Sequence, residues 1–230
     1  ASTKIAKEKN LLLQVGLQRR HQPEYIDTIK RLQDGAIGVI NYMRAFWNGG
    51  GVWVRKRTAD QTEMEYQMRN WYYFNWLCGD HITEQHIHNL DVINWLKNDF
   101  PVEAQGQGGR QVRTDKETGE IFDHHFVEYK YADGSRMYSQ CRHIKGCFNS
   151  VSEHAYGSKG HAEINRHMIF GDDKWRYDKK GVSGHQQEQL DLVDAPKLTP
   201  MTSLDRPVGE VDPQLLYPRP LRANYPAPCL

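Results

Sequence analysis

Residues 79–96, GDHITEQHIHNLDVINWL, constrain the fold more than any other part of this chain, because they hold no proline and only one glycine, at the first position. At about 100° per residue, apolar side chains recur on one broad face, and mostly ionisable ones fall on a separate stripe. The apolar face carries Ile82, His86, Leu90, Ile93 and Leu96, and the stripe carries Asp80, His81, Glu84, His88, Asp91 and Trp95. The pattern predicts an amphipathic helix with Asp80 or Thr83 as its N-cap.

This predicted helix is rich in groups that exchange protons, since three histidines and three carboxylates occur within residues 80–91. Acids and imidazoles at helical spacing can hold a proton donor and orient it. On that ground Asp80, His81 and Asp91 are candidates for substrate binding. The alternative is a solvated surface stabilised by i,i+4 charge pairs.

Most of the remaining chain shows strand patterns. Residues 37–47 are β-rich and end at the flexible turn 48–51, Asn-Gly-Gly-Gly. After Pro101, turn signals separate five β-rich runs. These runs are Val102–Val112, Ile121–Tyr131, Arg136–His143, Phe148–Tyr156 and His161–Phe170. The order predicts an α+β fold, in which an open, mostly antiparallel sheet over residues 36–170 packs one face against helices.

Within the second of those runs, Asp123, His124 and His125 place alternate side chains on opposite faces of the sheet. One of the two histidines therefore faces the helix and its ligand, with His125 as the candidate for substrate binding. A hydrogen-bonded structural role suits the other.

The beginning of the chain suggests a different kind of sheet. Residues 1–9 resemble the end of a helix, and the apolar run Leu11–Gly16 is typical of a buried parallel strand. Gln18, Arg19 and Arg20 follow that run, at the end of a strand where open α/β sheets bind ligands. We expect Gln18 and Arg19 to contact a cofactor and Arg20 a substrate; the equal alternative is that the arginines are surface charges.

Pro23 and Gly35 bound a predicted helix, because proline suits the first helical turn and glycine ends a helix. Residues 52–78 show no clear period but hold seven aromatic side chains. Such rings suit the apolar faces of sugars, and Trp71 is the candidate for substrate binding. Core packing is the alternative for each ring.

Three motifs in order resemble the glucose–fructose oxidoreductase / inositol dehydrogenase (Gfo/Idh/MocA) family. Glu84-x-His86-x-His88-x-x-Asp91 resembles the family's Asp-x-Gly-x-His-x-x-Asp helix, with Glu84 in place of the first Asp and His86 in place of the Gly. Residues 15–25, VGLQRRHQPEY, resemble Val-Gly-Phe-Asn-Arg-Arg-Phe-x-Pro-x-Tyr, and residues 32–40, LQDGAIGVI, resemble Leu-x-x-Gly-x-Ile-Gly-x-Ile.

The chain also departs from the family pattern. Residues 78–80, Cys-Gly-Asp, stand where the family usually has Gly-Gly-Gly, and residues 70–72, Asn-Trp-Tyr, lack the arginine of its Gly-Trp-Arg. The G-x-G-x-x-G fingerprint and the Glu-Lys-Pro motif with the catalytic lysine do not occur. The resemblance therefore implies the second half of such a protein, which by itself should not bind NAD(P).

The resemblance also implies a domain plan. Residues 1–35 correspond to the last strand and helix of a Rossmann-type nucleotide-binding domain, and residues 36–180 to an α/β domain for substrate binding and homo-oligomerisation through the sheet face. Residues 181–230 hold most of the prolines, eight of ten lying between Pro196 and Pro228. We expect these last residues to form a weakly ordered tail.

The activity that the resemblance implies is hydride transfer between NAD or NADP and a sugar, polyol or glycoside. Because a hydride leaves a carbinol carbon as its hydroxyl proton is removed, a base must lie within hydrogen-bond reach. The resemblance assigns this neighbourhood to His88, with Glu84 beside it, and neighbouring carboxylates are expected to favour the charged form of His88.

Three other functions stay open. Some relatives use the same redox step to cleave glycosides, and a chain without the fingerprint can be a non-catalytic sugar-binding or dimerisation domain. A metal-dependent hydrolase would be built on His81, Glu84, His86 and His88. However, H-E-x-x-H is absent, and His86 points about 160° away from His88 on a helix. No metal ligand is therefore assigned.

Composition excludes some classes. The balance of 30 basic and 29 acidic residues offers no field for nucleic acid or an anionic membrane, and no run approaches the length of a transmembrane helix. Residues 1–10 lack the apolar core of a signal peptide, so a cytoplasmic location is the default expectation. The four cysteines form no C-x-x-C pair and suit reduced thiols.

Overall fold

An eight-stranded open sheet forms the centre of the computed structural model, which describes residues 2–178. Its strands are β1 Ile40–Gly49, β2 Glu103–Gly109, β3 His124–Lys130, β4 Arg136–His143, β5 Ser150–Gly157, β6 Gly160–Glu163, β7 Met168–Gly171 and β8 Trp175–Arg176. The order is β2-β3-β4-β1-β5-β6-β7-β8, and only β1 and β4 pair in parallel. The predicted open, mostly antiparallel sheet is confirmed.

The helices follow local sequence signals. They are α1 Ser2–Glu8, α2 Pro23–Gln33, α3 Glu63–Arg69, α4 Asn75–Cys78 and α5 Ile87–Lys97. Pro23 begins α2 because its missing N–H and fixed φ suit the first turn. Thr62 begins α3 through a capping box with Glu65, in which each side chain accepts a hydrogen bond from the other residue's backbone.

The main core lies between α2, α5 and one face of the sheet. Ile29 and Ile93 from the helices meet Met43 and Ala155 from β1 and β5, and each is at most 1% exposed. Burying one such large aliphatic side chain contributes about 1.5–3 kcal/mol. We call this side of the sheet the helix face and the other side the open face.

The predicted helix over 80–97 is interrupted, which corrects the expectation from periodicity. Gly79 and Asp80 both have φ near 70°, a π-helical turn spans Ile82–His86, and regular α-helix begins only at Ile87. A π turn carries one extra residue, which rotates the preceding residues by about 100° relative to α5. Neither Asp80 nor Thr83 caps the helix, since no side-chain cap is present at its start.

The predicted strand at Leu11–Gly16 is also wrong. These residues have no regular secondary structure, and Leu12 is 90% exposed. The apolar run has the composition of a buried strand, but a strand needs a hydrogen-bonded neighbour, and no strand within residues 2–178 pairs with it. The expected tail at 181–230 lies outside the described residues.

Candidate functional site

His88 lies in the first turn of α5 and points toward the end of β1. Its ring stacks on Trp47 with centroids 6.0 Å apart and an interplanar angle of 29°. Burial, and next the positive charge of Arg19, lower the pKa of His88, while Asp91 acts in the opposite direction. Asp91 thus favours the charged form of His88, as expected, but burial and Arg19 together outweigh it, and the pKa of His88 is lowered. A neutral imidazole at neutral pH can accept a proton.

Asp91 accepts hydrogen bonds from Arg20 rather than from His88. The Arg20 Nε donates to Asp91 Oδ2 at 2.8 Å, and Nη2 donates to Oδ1 at 2.8 Å, which is the two-pronged geometry that guanidinium and carboxylate favour. The Arg20 guanidinium also lies 5.5 Å from the centroid of Trp95. The structure thus brings two predicted site residues together, one turn from His88.

Glu84 does not join His88 in the described contacts. Burial raises the pKa of Glu84, and burial, followed by the charge of Glu84, raises the pKa of Tyr72. The charge of Glu84 thus acts on Tyr72 and is not among the causes that shift the pKa of His88. The π turn explains the difference, because it rotates residue 84 away from the direction that a continuous helix would give it.

His81 lies in the interior instead of on the predicted stripe. It is fully buried and stacks on His143 of β4 with centroids 3.5 Å apart. Burial, and next His143, lower the pKa of His81, and burial lowers that of His143 to about 3. These rings are neutral in the folded protein at neutral pH, as buried imidazoles without a carboxylate partner should be.

The His125 side chain lies on the helix face of the sheet, as expected for one of the two neighbouring histidines. Its Nε2 lies 3.4 Å from Asp80 Oδ1, and its ring centroid lies 6.5 Å from that of His81. His124 lies on the opposite side and has a structural bond, its Nδ1 being 2.7 Å from Asp123 Oδ1. Asp80 and His125 are thus a second pair of candidate residues that the fold brings together.

His86 lies on the apolar side, as the sequence predicts. It is fully buried, and its Nε2 is 2.7 Å from the Ser139 hydroxyl oxygen on β4. Burial lowers the pKa of His86 to about 3. Within residues 2–178, no group of three or more His, Cys, Asp or Glu side chains is arranged to hold a metal ion. Of the residues in the hydrolase hypothesis, His81 stacks on His143 and His86 contacts Ser139.

The aromatic residues 53–74 divide into core and surface. Tyr72 and Tyr73 are buried, as the packing alternative predicts, whereas Trp53 is 37% exposed and Trp71 is half-buried. The Trp53 and Trp71 ring centroids lie 5.7 Å apart. These two indoles therefore present apolar area that a sugar ring could cover.

Asp123 and Arg113 are residues that sequence reasoning missed. Asp123 Oδ2 accepts the backbone N–H groups of Gln111, Val112 and Arg113 at 2.7–2.9 Å. These bonds and that to His124 hold the pKa of Asp123 at about 2 despite its burial. The loop so formed places Arg113 where its Nη2 donates to the Tyr73 hydroxyl at 2.5 Å.

Gln18 and Arg19 lie in a short 3₁₀ turn before α2. Gln18 is exposed, but the Arg19 guanidinium donates to Glu153 of β5, a carboxylate that is fully buried. Sequence gave no signal for this pair, because the two residues lie 134 positions apart. Arg19 therefore has a partner within the protein, which the expectation of a cofactor contact did not include.

Two further findings concern membrane-spanning helices and the state of the cysteines. No helix in residues 2–178 is long and apolar enough to cross a membrane. Cys78, Cys141 and Cys147 are free thiols, as expected, and Cys229 lies outside that range.

Known structures share this fold. An aldose–aldose oxidoreductase from Caulobacter crescentus, solved with glycerol, is 19% identical with a TM-score of 0.54, over 69% of this chain and 42% of that one. A myo-inositol 2-dehydrogenase from Lactobacillus plantarum is 23% identical with a TM-score of 0.53, over 76% and 50%. A levoglucosan dehydrogenase, solved with NADH and levoglucosan, is 14% identical with a TM-score of 0.56, over 80% and 56%.

At these identities the likeness establishes the fold, and this chain spans about half the length of those proteins. No curated protein matches the sequence significantly. The model of the oxidoreductase family's C-terminal alpha/beta domain, however, matches residues 29–214. That range covers most of the chain, including the whole sheet, α5 and the last part of α2, from Ile29 onward. The chain therefore belongs to the Gfo/Idh/MocA oxidoreductase family, over the C-terminal α/β domain of that family.

Proposed function

We propose that this chain supplies the substrate-binding and proton-transfer part of an NAD(P)-dependent oxidoreductase that acts on a sugar, polyol or glycoside. The observation that carries the proposal is His88, a partly buried imidazole with a lowered pKa, packed on Trp47 beside the Arg20–Asp91 pair. Such a ring is neutral at neutral pH and can take a hydroxyl proton while a carbinol carbon is oxidised.

The nicotinamide cofactor would supply the hydride acceptor for such a reaction. Residues 2–178 form no glycine-rich turn at a helix N-terminus that could hold its pyrophosphate, and Arg19 is already bonded to Glu153. Gln18 is the exposed member of the predicted cofactor contacts. The contribution proposed for the described residues is therefore to bind substrate and to move its proton.

Substrate orientation is assigned to polar pairs and exposed rings. The Arg20–Asp91 pair lies within one helical turn of His88, so its remaining donors can hold a hydroxyl group near that ring. Trp53 and Trp71 would cover an apolar sugar face, and Asp80 with His125 offers a second polar contact. Glu84 keeps only an indirect role, because the described contacts do not join it to His88.

The open face of the sheet supports homo-oligomerisation. Stacked rings cross four strands there, with Tyr42 and Tyr156 4.5 Å apart, Tyr156 and His161 6.0 Å apart, and His161 and Phe170 4.7 Å apart. Tyr42 is 40% exposed, and exposed aromatic area of this kind marks interaction sites. Sedimentation velocity should show a dimer that Tyr42→Glu converts to monomer, whereas Met64→Glu, on exposed α3, should not. A wild-type monomer at all concentrations contradicts this assignment.

A non-catalytic sugar-binding domain is the second candidate, favoured by the internal Arg19–Glu153 bond. Two measurements separate the candidates. Tryptophan fluorescence should respond saturably to neutral monosaccharides or polyols in the wild-type chain, and less in Trp71→Leu, under both proposals. A complete enzyme containing this chain is expected to oxidise the bound sugar or polyol, and to do so far more slowly with His88→Ala, only under the catalytic proposal. Sugar binding without such turnover would select the non-catalytic domain, and neither response would reject both.

A further inference from the structure

Glu153 is a carboxylate with an unusual position, because it is fully buried on the helix face of β5. Three side chains donate to it: Arg19 and Asn89 to Oε1, the latter at 2.5 Å, and Tyr25 to Oε2 at 3.3 Å. The donors come from the turn before α2, from α5 and from α2. One carboxyl group therefore joins three separate segments in the interior.

Stability alone is a weak reason for such a cluster. Removing a carboxylate and a guanidinium from water costs several kcal/mol per ion, and well-packed apolar replacements of buried ion pairs are often neutral or stabilising. Burial raises the pKa of Glu153 to about 7, with Arg19 acting against that shift. The desolvation penalty is thus only partly offset, which favours a role in geometry.

Two of the side chains bonded to Glu153, Asn89 and Arg19, lie near His88. Asn89 is the residue after His88 in α5, so its bond to Glu153 fixes the backbone that carries the imidazole. Arg19 lies 6.0 Å from the centroid of Trp47, the same ring on which His88 stacks. Arg19 of the turn before α2 and Asp91 of α5 are the charged groups that act on the ionisation of His88, and Trp47 of β1 adds no charge.

We propose that Glu153 is a positioning residue for His88: it holds the Arg19 guanidinium against Trp47 and fixes Asn89, so that a cation is kept beside the imidazole. The proposal rests on the proposed function for its catalytic meaning, in which that cation keeps His88 neutral and ready to accept a proton. Its physical content is separate, because the titration of His88 is measured without turnover.

The test follows the ring protons of His88 by NMR in the full 230-residue chain, with the resonance assigned by its loss in His88→Gln. Glu153→Met removes the acceptor, so Arg19 should swing toward water, where its charge is screened. The pKa of His88 should then rise by about half a unit or more, the effect of one charge at such distances. Glu153→Gln keeps an acceptor and should leave the pKa within about 0.2 unit of wild type.

Two further variants complete the experiment. Arg19→Met should raise the pKa of His88 as Glu153→Met does, and the double variant should raise it no further. Glu163→Met, which breaks the outer Glu163–Arg166 pair on the neighbouring strand β6, is the matched control and should change nothing.

The proposal is overturned if folded Glu153→Met titrates like wild type, or if Glu153→Gln shifts the pKa as much as the methionine variant. If Glu153→Met does not fold, Glu153→Asp takes its place, because its side chain is one methylene shorter and draws the carboxylate away from Arg19. An unchanged pKa of His88 in that variant would overturn the proposal. If Glu153→Met raises the pKa of His88 as expected, but a complete enzyme containing this chain does not oxidise a sugar or polyol, only the proposed function is rejected.

Discussion

The Trp47 ring on β1 and the His88 ring on α5 stack with centroids 6.0 Å apart, and the Arg19 guanidinium lies 6.0 Å from that same indole. The indole therefore packs against both the imidazole and a cation, and after burial that cation is the next cause that lowers the pKa of His88. This relationship gives His88 the neutral state that a base requires at neutral pH.

His88 and His86 form a matched pair for mutation, since both are imidazoles on one helical segment. In a complete enzyme that contains this chain, His88→Ala should lower kcat by about 10²–10⁴-fold, the usual loss for an acid–base group. Equal loss of kcat in folded His88→Ala and His86→Ala would show that the face carrying His88 does not provide the base.

His86→Ala should act on stability instead. It leaves the buried Ser139 hydroxyl without its partner, which costs about 1–3 kcal/mol, and it opens a cavity as well. Denaturant unfolding of both variants measures this difference. A larger stability loss in His88→Ala than in His86→Ala would contradict the assignment of His86 to the core.

The rate of substrate oxidation should depend on pH through His88. Its pKa lies below the ordinary value of about 6.5, and only the neutral ring accepts a proton, so kcat/KM should fall as the pH drops through that lowered value and should be level at neutral pH. In Arg19→Met the acidic limb should move to higher pH. An acidic limb that remains unchanged in the residual activity of His88→Gln would exclude His88 as the base.

The folded chain should lose stability in acid. The pKa values of His86 and His143 are lowered to about 3, so the unfolded chain binds more protons between about pH 3 and 6.5, and stability falls as the pH drops through that window. Glu153 acts in the opposite direction, since its raised pKa stabilises the fold at low pH and this contribution is lost as the pH rises to about 7.

Because the buried imidazoles outnumber that carboxyl group, the net slope should be positive. His86→Gln should reduce it by about 1.4 kcal/mol per pH unit, the value for one proton. The exposed His21→Gln is the control. Urea unfolding at several pH values from 4.5 to 6.5 measures the slope, and equal slopes in the two variants would contradict the prediction.

Asp123 should prove essential for the loop that carries Arg113. Asp123→Ala leaves the backbone N–H groups of residues 111–113 without their acceptor, at a cost of about 1–3 kcal/mol. Hydrogen exchange should accelerate at these three amides but not in Asp115→Ala, whose side chain is exposed on the same loop. Unchanged exchange in folded Asp123→Ala would mean that the loop is held by other contacts.

Alanine substitutions at Gly119 and Gly134 distinguish the cost of a steric clash from the cost of left-handed backbone strain. Both have positive φ, 57° and 86°, but a Cβ at Gly119 would lie 1.9 Å from the Tyr73 carbonyl oxygen, whereas nothing lies within 4 Å of one at Gly134. Gly134→Ala should cost about 1–2 kcal/mol from left-handed strain alone. Gly119→Ala should cost clearly more in thermal unfolding; equal costs would show that the backbone near Tyr73 yields easily.

Local sequence signals predicted much of the fold. Pro23 and Gly35 bounded α2 correctly, and the β-rich runs after residue 101 became β2 to β7. One run, 161–170, became two strands because a turn at Ile164–Arg166 and a left-handed His167 interrupt it. The predicted apolar face of residues 82–96 is confirmed for His86, Leu90 and Ile93, which are all buried.

The sequence by itself determined the family, the kinds of element and which side of α5 is apolar, because these depend on neighbouring residues and their period. The tertiary structure decided the rest. The π turn at 82–86 carried His81 inside and separated Glu84 from His88, and chain folding joined Arg19 to Glu153 across 134 positions. Period predicts the direction of a side chain within one regular helix; an extra residue in a turn, or a partner from a distant strand, is set by packing across the whole sheet.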